Sequence, residues 1–189
     1  MAKTESTMVA LGTSAPDFFL PEVRSHQKIG LYDVLGGYGL LVMFISRHCP
    51  YVQHIKKQIT LLTNEYLEKN IRFVAISSND VVKYPDDHPT KLAEMALEEN
   101  WKFPLLFDES QDVARSFDAS CTPDFFLYDK SARLVYRGQM DGSRPNNGVP
   151  NDAKDLRMAM DALIVGEKIN LDQRPSLGCN IKWKEDWFK

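Results

Sequence analysis

The alternation of apolar runs and amphipathic segments along the chain predicts buried strands joined by helices. Residues 40–45 form an almost unbroken apolar run with the length of a buried strand, and residues 72–77 form a second one. Apolar residues at alternating spacings of three and four lie between these runs and predict a helix over about 50–70, with Pro50 in its first turn. They are Val52, Ile55, Ile59, Leu62 and Tyr66. A strand, a helix and a strand in this order predict parallel pairing and an α/β fold.

The same patterns extend the predicted sheet beyond this unit. Residues 124–128 and 134–137 are predicted strands, and the short polar turn between them predicts antiparallel pairing. Two short N-terminal strands are predicted at 18–20 and 29–32. Three further helices are predicted at 90–99, at 111–117 and from the cap Asp152 to the terminator Gly166. We therefore predict a central mixed sheet flanked by helices. It belongs to a single domain over 1–189, with a core over about 9–166, an N-terminal strand extension and a C-terminal tail over 167–189.

Composition and charge narrow the classes of partner. The chain has 189 residues, of which 43% are hydrophobic and 26% charged, as in a globular protein large enough to bury a core. A net charge of -3 leaves no basic surplus for nucleic acid, and no apolar run is long enough for a signal peptide or a membrane span. Three widely spaced cysteines favour a reducing compartment. We predict a cytoplasmic protein that acts on small molecules or proteins, not on nucleic acid or membranes.

Cys49 stands at the junction between the predicted strand 40–45 and the helix that begins with Pro50. At a helix N-terminus, unpaired N–H groups and the positive end of the dipole stabilise a thiolate, and Arg47 and His48 add positive charge nearby. Because the thiolate is the reactive form of cysteine, Cys49 is the candidate nucleophile. The alternative interpretation is a small buried residue that fills the corner between strand and helix.

The pKa of Cys49 is accordingly predicted to lie below the ordinary value of about 8.5. Burial acts in the opposite direction, so donors aimed at the sulfur are needed to favour the anion. The sequence offers Ser46 and the amides of Tyr51 and Val52 as those donors.

Two dipeptides give the chain a resemblance to a known fold. Cys49-Pro50 opens a long helix after a buried strand, and Thr122-Pro123 leads into another strand. This arrangement resembles the thioredoxin fold over about residues 9–166. More narrowly, it resembles the peroxiredoxin-like group of the alkyl hydroperoxide reductase/thiol-specific antioxidant and TlpA-like proteins.

The resemblance implies roles for the residues around the thiol. Cys49 matches the attacking cysteine, and Ser46 matches the hydroxyl residue that peroxiredoxins place near the peroxidatic sulfur. The residues expected to contact substrate are His48, Tyr51, Thr122 and Pro123.

Cys121 is the first candidate for a second catalytic thiol. In the thioredoxin fold the proline that matches Pro123 is cis and adjoins the reactive sulfur, so the resemblance places Cys121 close enough to Cys49 for a disulfide. An ordinary buried thiol is the alternative for Cys121.

Cys179 is the second candidate, in a segment that also resembles the peroxiredoxin-like group, residues 177–183. It would reach Cys49 from a mobile C-terminal tail. The alternative is an inert thiol packed with Ile181 and Trp183.

The chain departs from both family patterns at single positions. Val52 replaces the second cysteine of a thioredoxin Cys-x-x-Cys, and Val42 stands where the peroxiredoxin pattern has proline. No arginine stands just before the strand at Asp124, where the peroxide-orienting residue would be expected.

The resulting expectation is an oxidoreductase in which the Cys49 thiolate attacks a peroxide oxygen or a disulfide sulfur, without an organic cofactor. A thiol reductant such as thioredoxin or glutathione would recycle it, and a homodimer stays open. The alternative is a non-catalytic thioredoxin-fold module for binding or metal delivery. His48, Cys49, His54 and Cys121 are conceivable soft ligands, but their spacing is not that of a zinc site, and no metal is expected.

Overall fold

The computed structural model describes residues 3–185, in which helices pack on both faces of a central sheet. The strands are β1 (Lys3–Glu5), β2 (Phe19–Pro21), β3 (Lys28–Gly30), β4 (Gly39–Phe44), β5 (Ile71–Ser77), β6 (Leu105–Phe107), β7 (Cys121–Thr122), β8 (Asp124–Asp129), β9 (Leu134–Gly138) and β10 (Leu177–Asn180). The helices are α1 (Leu31–Val34), α2 (Pro50–Glu68), α3 (Pro89–Glu98), α4 (Asp112–Ser116) and α5 (Lys154–Val165), with a 3₁₀ turn at Pro85–Asp87. Within the described residues, no helix is long and apolar enough to cross a membrane.

The central sheet has the strand order β6-β5-β4-β8-β9. β4 pairs parallel with β5 and antiparallel with β8, and β8 pairs antiparallel with β9, so the predicted parallel unit and antiparallel pair are both confirmed. Every residue of β4 is buried. Leu41 and Met43 belong to one apolar cluster and Val42 and Phe44 to another, because alternate side chains of a strand point to opposite faces.

The register of β4 brings the two key dipeptides to one edge of the sheet. Phe44, the last residue of β4, pairs with Asp124, the first residue of β8. The chain then turns into α2, with Cys49 as its N-cap residue and Pro50 in its first turn. The Thr122-Pro123 bond that precedes Asp124 is cis, as predicted. Cys49 and Pro123 therefore lie at the same end of the central strands.

The C-terminal segment differs from the predicted mobile tail. Residues 177–180 form β10, which lies between β1 and β7 in a separate three-stranded sheet. Cys179 pairs with Thr122 on one side and with Lys3 on the other. A Cβ atom at Gly178 would lie 2.0 Å from the carbonyl oxygen of Thr122, so only glycine allows this close approach.

The N-terminus of α5 also differs from the prediction. Its N-cap residue is Ala153 and not Asp152. The carboxylate of Asp141 accepts hydrogen bonds from the amides of Asp152, at 3.0 Å, and Ala153, at 2.7 Å, and so replaces a local cap. Gly166 ends the helix with a φ of 72°, as predicted.

Candidate active site

Cys49 lies under the surface at the N-terminus of α2, with no exposed area. In the thiol form its Sγ donates a hydrogen bond to the carbonyl oxygen of Thr122 at 3.1 Å. The Thr122 hydroxyl is buried and has no fixed hydrogen-bond partner among residues 3–185, so it is free to donate to the thiolate. Thr122 can therefore hydrogen-bond to the Cys49 sulfur whether Cys49 is a thiol or a thiolate.

Cys179 packs in the same apolar cluster as Cys49, and it pairs with Thr122, whose carbonyl oxygen accepts from Cys49 Sγ. A hydrogen bond from the Cys179 side chain is the largest influence on the Cys49 sulfur and lowers its pKa to about 6. Burial opposes this shift, while the Thr122 hydroxyl and the backbone N–H groups of Val52 and Cys179 add to it. The same contact with Cys49, together with burial, raises the pKa of Cys179. The pair therefore holds a thiolate at Cys49 and a proton at Cys179.

We predict that alkylation of Cys49 titrates with a midpoint near the pKa of about 6, measured as rate against pH in a Cys121→Ser protein. Adding Cys179→Ala should raise that midpoint by about one to two pH units, because the thiolate loses the side-chain donor at position 179. A midpoint at about 8.5 in the first protein would make Cys49 an ordinary thiol.

Cys121 lies in β7 but is not the contacting thiol. Its Sγ donates to the carbonyl oxygen of Pro123 at 3.6 Å, and the residue has no exposed surface. Burial, followed by the nearby Asp124 carboxylate, raises the pKa of Cys121. Among the described residues it has no hydrogen bond to Cys49, and its surroundings are those of an unreactive buried thiol.

The position of Cys179 also differs from its alternative interpretation. Cys179 is 3% exposed and packs in the apolar cluster that contains Cys49 and Val52. Ile181 and Trp183 belong to the cluster on the other face of the sheet. Cys179 is therefore part of the site, held there by a strand.

Ser46 was predicted to donate to the Cys49 sulfur, but among residues 3–185 its hydroxyl is bonded to Asp87 instead. Its buried hydroxyl donates to the Asp87 carboxylate, 2.9 Å from Oδ2. The predicted Val52 donor is present, since its backbone lowers the pKa of Cys49. Arg47 extends away to an ion pair with Glu94 at 3.8 Å.

His48 is held by the same carboxylate. Its Nδ1 lies 2.6 Å from Asp87 Oδ2, and its ring stacks on Tyr84 with 5.1 Å between centroids. Its Nε2 is buried and has no hydrogen-bond partner within residues 3–185. Among the other predicted contact residues, Tyr51 and Pro123 line a small cavity together with Leu177 of β10. Of the four predicted contact residues, Thr122 binds the Cys49 sulfur directly.

Sequence reasoning missed two buried polar residues that bind the loop before Cys49 directly or through each other, Asp87 and Asn79. Both are buried polar residues in segments that follow β5, far along the chain from Cys49. No periodicity or motif connects them to the thiol, because tertiary folding alone brings them together. For Cys179 a signal did exist, since the adjacent Gly178 marks a close approach of two backbones.

The conceivable metal ligands do not form a cluster. Within the described part of the chain, no group of three or more His, Cys, Asp or Glu side chains is placed to hold a metal ion. His54 Nε2 instead lies 2.8 Å from the hydroxyl of Ser143.

Comparison with known proteins agrees with this geometry. The profile of the AhpC/TSA family matches residues 11–137, more than half of the chain, and ends before β10. The solved structure of an uncharacterized conserved protein from Geobacillus kaustophilus is 45% identical, with a TM-score of 0.96 over 98% of both chains.

Two further relatives carry functional names. The thiol-disulfide oxidoreductase ResA of Geobacillus kaustophilus is 26% identical over 131 residues, which are 69% of this chain and 70% of ResA. The thioredoxin domain of a thiol-disulfide oxidoreductase from Bacteroides vulgatus, at 16% identity, shares the fold with a TM-score of 0.61 over 79% of this chain and 97% of that one. Cys49 lies at a helix N-terminus beside a cis-proline, and the family profile covers most of the central sheet. The chain is therefore a thiol oxidoreductase of the AhpC/TSA family with a thioredoxin-like fold.

Proposed function

We propose that this protein is a thiol-disulfide oxidoreductase whose reacting pair is Cys49 and Cys179. The observation that supports this pair is that Cys49 and Cys179 pack in one apolar cluster, where α2 contacts β10. The pairing of Cys179 with Thr122, whose carbonyl also accepts from Cys49, holds both sulfurs against one backbone segment. Cys121, the partner that the resemblance implied, has no such contact.

The reaction has two exchange steps. The Cys49 thiolate attacks one sulfur of a substrate disulfide, which breaks the S–S bond, releases the other sulfur as a thiolate and leaves a mixed disulfide on Cys49. Cys179 then loses its proton and attacks the Cys49 sulfur, which releases the second substrate thiolate and forms the Cys49–Cys179 disulfide. Two electrons pass from the protein dithiol to the substrate disulfide, and an external thiol reductant returns them.

Two influences on the Cys179 thiol support its proposed role as the second nucleophile. Its pKa is raised chiefly by the hydrogen bond to Cys49 and then by burial. Once Cys49 is in a mixed disulfide, it no longer carries the anion that held the Cys179 proton. The ammonium group of Lys182 lowers the pKa of Cys179 and remains in place. Formation of the mixed disulfide therefore favours ionisation of the second thiol.

The position of the arginines favours disulfide exchange over peroxide reduction. Orienting a peroxide calls for a cation beside the sulfur that stabilises the departing oxygen. Arg47 pairs with Glu94, and Arg137 is buried in a pair with Asp124 behind β8. The name of the curated relative ResA, thiol-disulfide oxidoreductase, supports the same choice.

The predicted site residues have distinct proposed parts. Tyr51, Thr122 and Pro123 contact the substrate next to Cys49, and His48 presents its free Nε2 on the other side. Ser46 acts through Asp87 and not on the sulfur itself.

Cys179→Ser is the test of the pair. With the second thiol gone, the mixed disulfide between Cys49 and a model disulfide should persist, and peptide mapping of mildly oxidised wild-type protein should show Cys49 joined to Cys179. The matched variant Cys121→Ser should form the same disulfide and turn over normally.

Three other results would replace this proposal. A disulfide mapped to Cys121 would move the second role there. Stoichiometric oxidation by peroxide without reaction towards disulfides would make the protein a peroxidase. Neither reaction, together with tight metal binding, would favour the non-catalytic module. Thioredoxin or glutathione as reductant, a cytoplasmic location and a homodimer stay predictions.

A further inference from the structure

A single buried side chain joins the segments that carry the two reacting cysteines. The Nδ2 of Asn79 donates to Asp87 Oδ2 at 2.7 Å, and its Oδ1 accepts from the backbone N–H of Lys182 at 2.7 Å. Asn79 is 4% exposed, and it uses both ends of its amide in these contacts.

On the Cys49 side, Asp87 is hydrogen-bonded to each of the three residues that precede the thiol. Its carboxylate accepts from the Ser46 hydroxyl and the Arg47 N–H, and it lies 2.6 Å from His48 Nδ1. Asp87 has no exposed surface, and burial alone would raise its pKa. Hydrogen bonds from His48, Asn79 and Ser46 outweigh burial and hold the pKa below its ordinary value. The loop before Cys49 is thus fixed around a buried carboxylate.

On the Cys179 side, Lys182 anchors the chain just after β10. Its N–H donates to Asn79, and its carbonyl oxygen accepts from the Asp80 N–H at 2.8 Å and from Gln111 Nε2 at 2.9 Å. Gln111 Nε2 also donates to the carbonyl oxygen of Ser78 at 2.6 Å, so this side chain supports the contact between Asn79 and Lys182.

We propose that Asn79 is a positioning residue that, through Asp87, holds Cys179 against Cys49. The inference rests on the proposed function, since it concerns the pair assigned there. Cys49 has no exposed surface and packs with Cys179 where α2 contacts β10, so the placement of this strand decides how often the two sulfurs meet. Because the Asn79 amide is bonded at both ends, the conformational entropy of ordering these two segments is lost during folding. It is not lost again each time Cys179 meets Cys49 in the reaction.

The test is the effective concentration of Cys179 towards Cys49, obtained from the equilibrium of full-length protein with reduced and oxidised glutathione. Asn79→Leu keeps the branched shape of the side chain, removes both hydrogen bonds and should lower that concentration about tenfold. Asn79→Asp keeps an acceptor for Lys182 but loses the donor to Asp87, and it should lower the value as well. Circular dichroism of both Asn79 variants shows whether they fold. A folded variant with a lowered effective concentration has lost the positioning of Cys179 and not the fold.

A double-mutant cycle separates the proposed link from general loosening of the C-terminal segment. Asp87→Asn replaces one acceptor oxygen with a donor group, and combining it with Asn79→Leu should cost little more than the larger single change, because both break one connection. Ser176→Ala removes the hydrogen bond from that hydroxyl to the Pro123 carbonyl oxygen and loosens the start of β10 without a partner shared with Asn79, so its effect should add to that of Asn79→Leu.

The outcomes are distinct. If the wild type forms a Cys49–Cys179 disulfide but folded Asn79→Leu and Asn79→Asp keep its effective concentration, the positioning role is wrong and the proposed function stands. Additive losses with Asp87→Asn would also overturn it. If the wild type forms no such disulfide, the proposed function falls and the positioning role falls with it.

Discussion

Cys49→Ser is expected to lower the turnover of a disulfide substrate by about a thousandfold or more, because a serine hydroxyl is not ionised at neutral pH and forms no disulfide. The fold should stay intact. A serine hydroxyl can donate to the carbonyl oxygen of Thr122 as the thiol does, and its volume is similar. The measurement is steady-state reduction of a chromogenic aryl disulfide, with circular dichroism to confirm folding.

The matched control for this change is Cys121→Ser, which replaces the other thiol near the cis-proline. It should retain most of the activity, since Cys121 donates to the Pro123 carbonyl and not to Cys49. Activity that survives Cys49→Ser, or disappears equally in both variants, would contradict the assignment of Cys49 as nucleophile.

Asp124→Asn should lower the free energy of unfolding by about 3–5 kcal/mol, the largest stability effect that we expect from a single polar change. Asp124 and Arg137 form an ion pair with no exposed surface on either side chain. The Arg137 guanidinium also lies 3.8 Å from the centre of the Phe126 ring. Removing the carboxylate leaves a buried cation without its counter-charge, and urea unfolding at neutral pH measures the loss.

The control replaces both members of that pair. Asp124→Leu combined with Arg137→Met leaves no charge in the site and should recover much of the stability lost in the single variant. If Asp124→Asn lowers the free energy of unfolding by less than about 1 kcal/mol, water or another group stabilises the Arg137 charge in solution.

The central sheet could be predicted because its signals are local. β4 is an unbroken apolar run, α2 repeats its apolar positions every three or four residues, and Pro50 fixes the first turn. The same locality placed Cys49 at the start of a helix and so predicted a lowered pKa.

The choice between Cys121 and Cys179 as the proposed partner of Cys49 could not be made in the same way. β7 and β10 have only two and four residues, too few for a period-two pattern to appear. They form because Gly178 lacks a side chain that would meet Thr122, and pairing then carries Cys179 to the site. The Asp87 and Asn79 contacts depend likewise on folding, which is why Ser46 was assigned to the sulfur and not to a carboxylate.

The position of β10 between β1 and β7 has a consequence for how the protein is made. On a ribosome, β4, α2 and β5 are synthesised well before residues 177–180, so the sheet edge that carries Cys49 can form first. During that interval β1 has no strand to pair with, and the Cys49 thiolate lacks the donor that both stabilises it and completes its reaction. In the nascent chain, exchange of Cys49 with a small disulfide releases one thiolate and leaves a mixed disulfide that only an external thiol can resolve. Synthesis of β10 closes the small sheet and supplies the second thiol in the same step, so that redox competence appears only with the last strand.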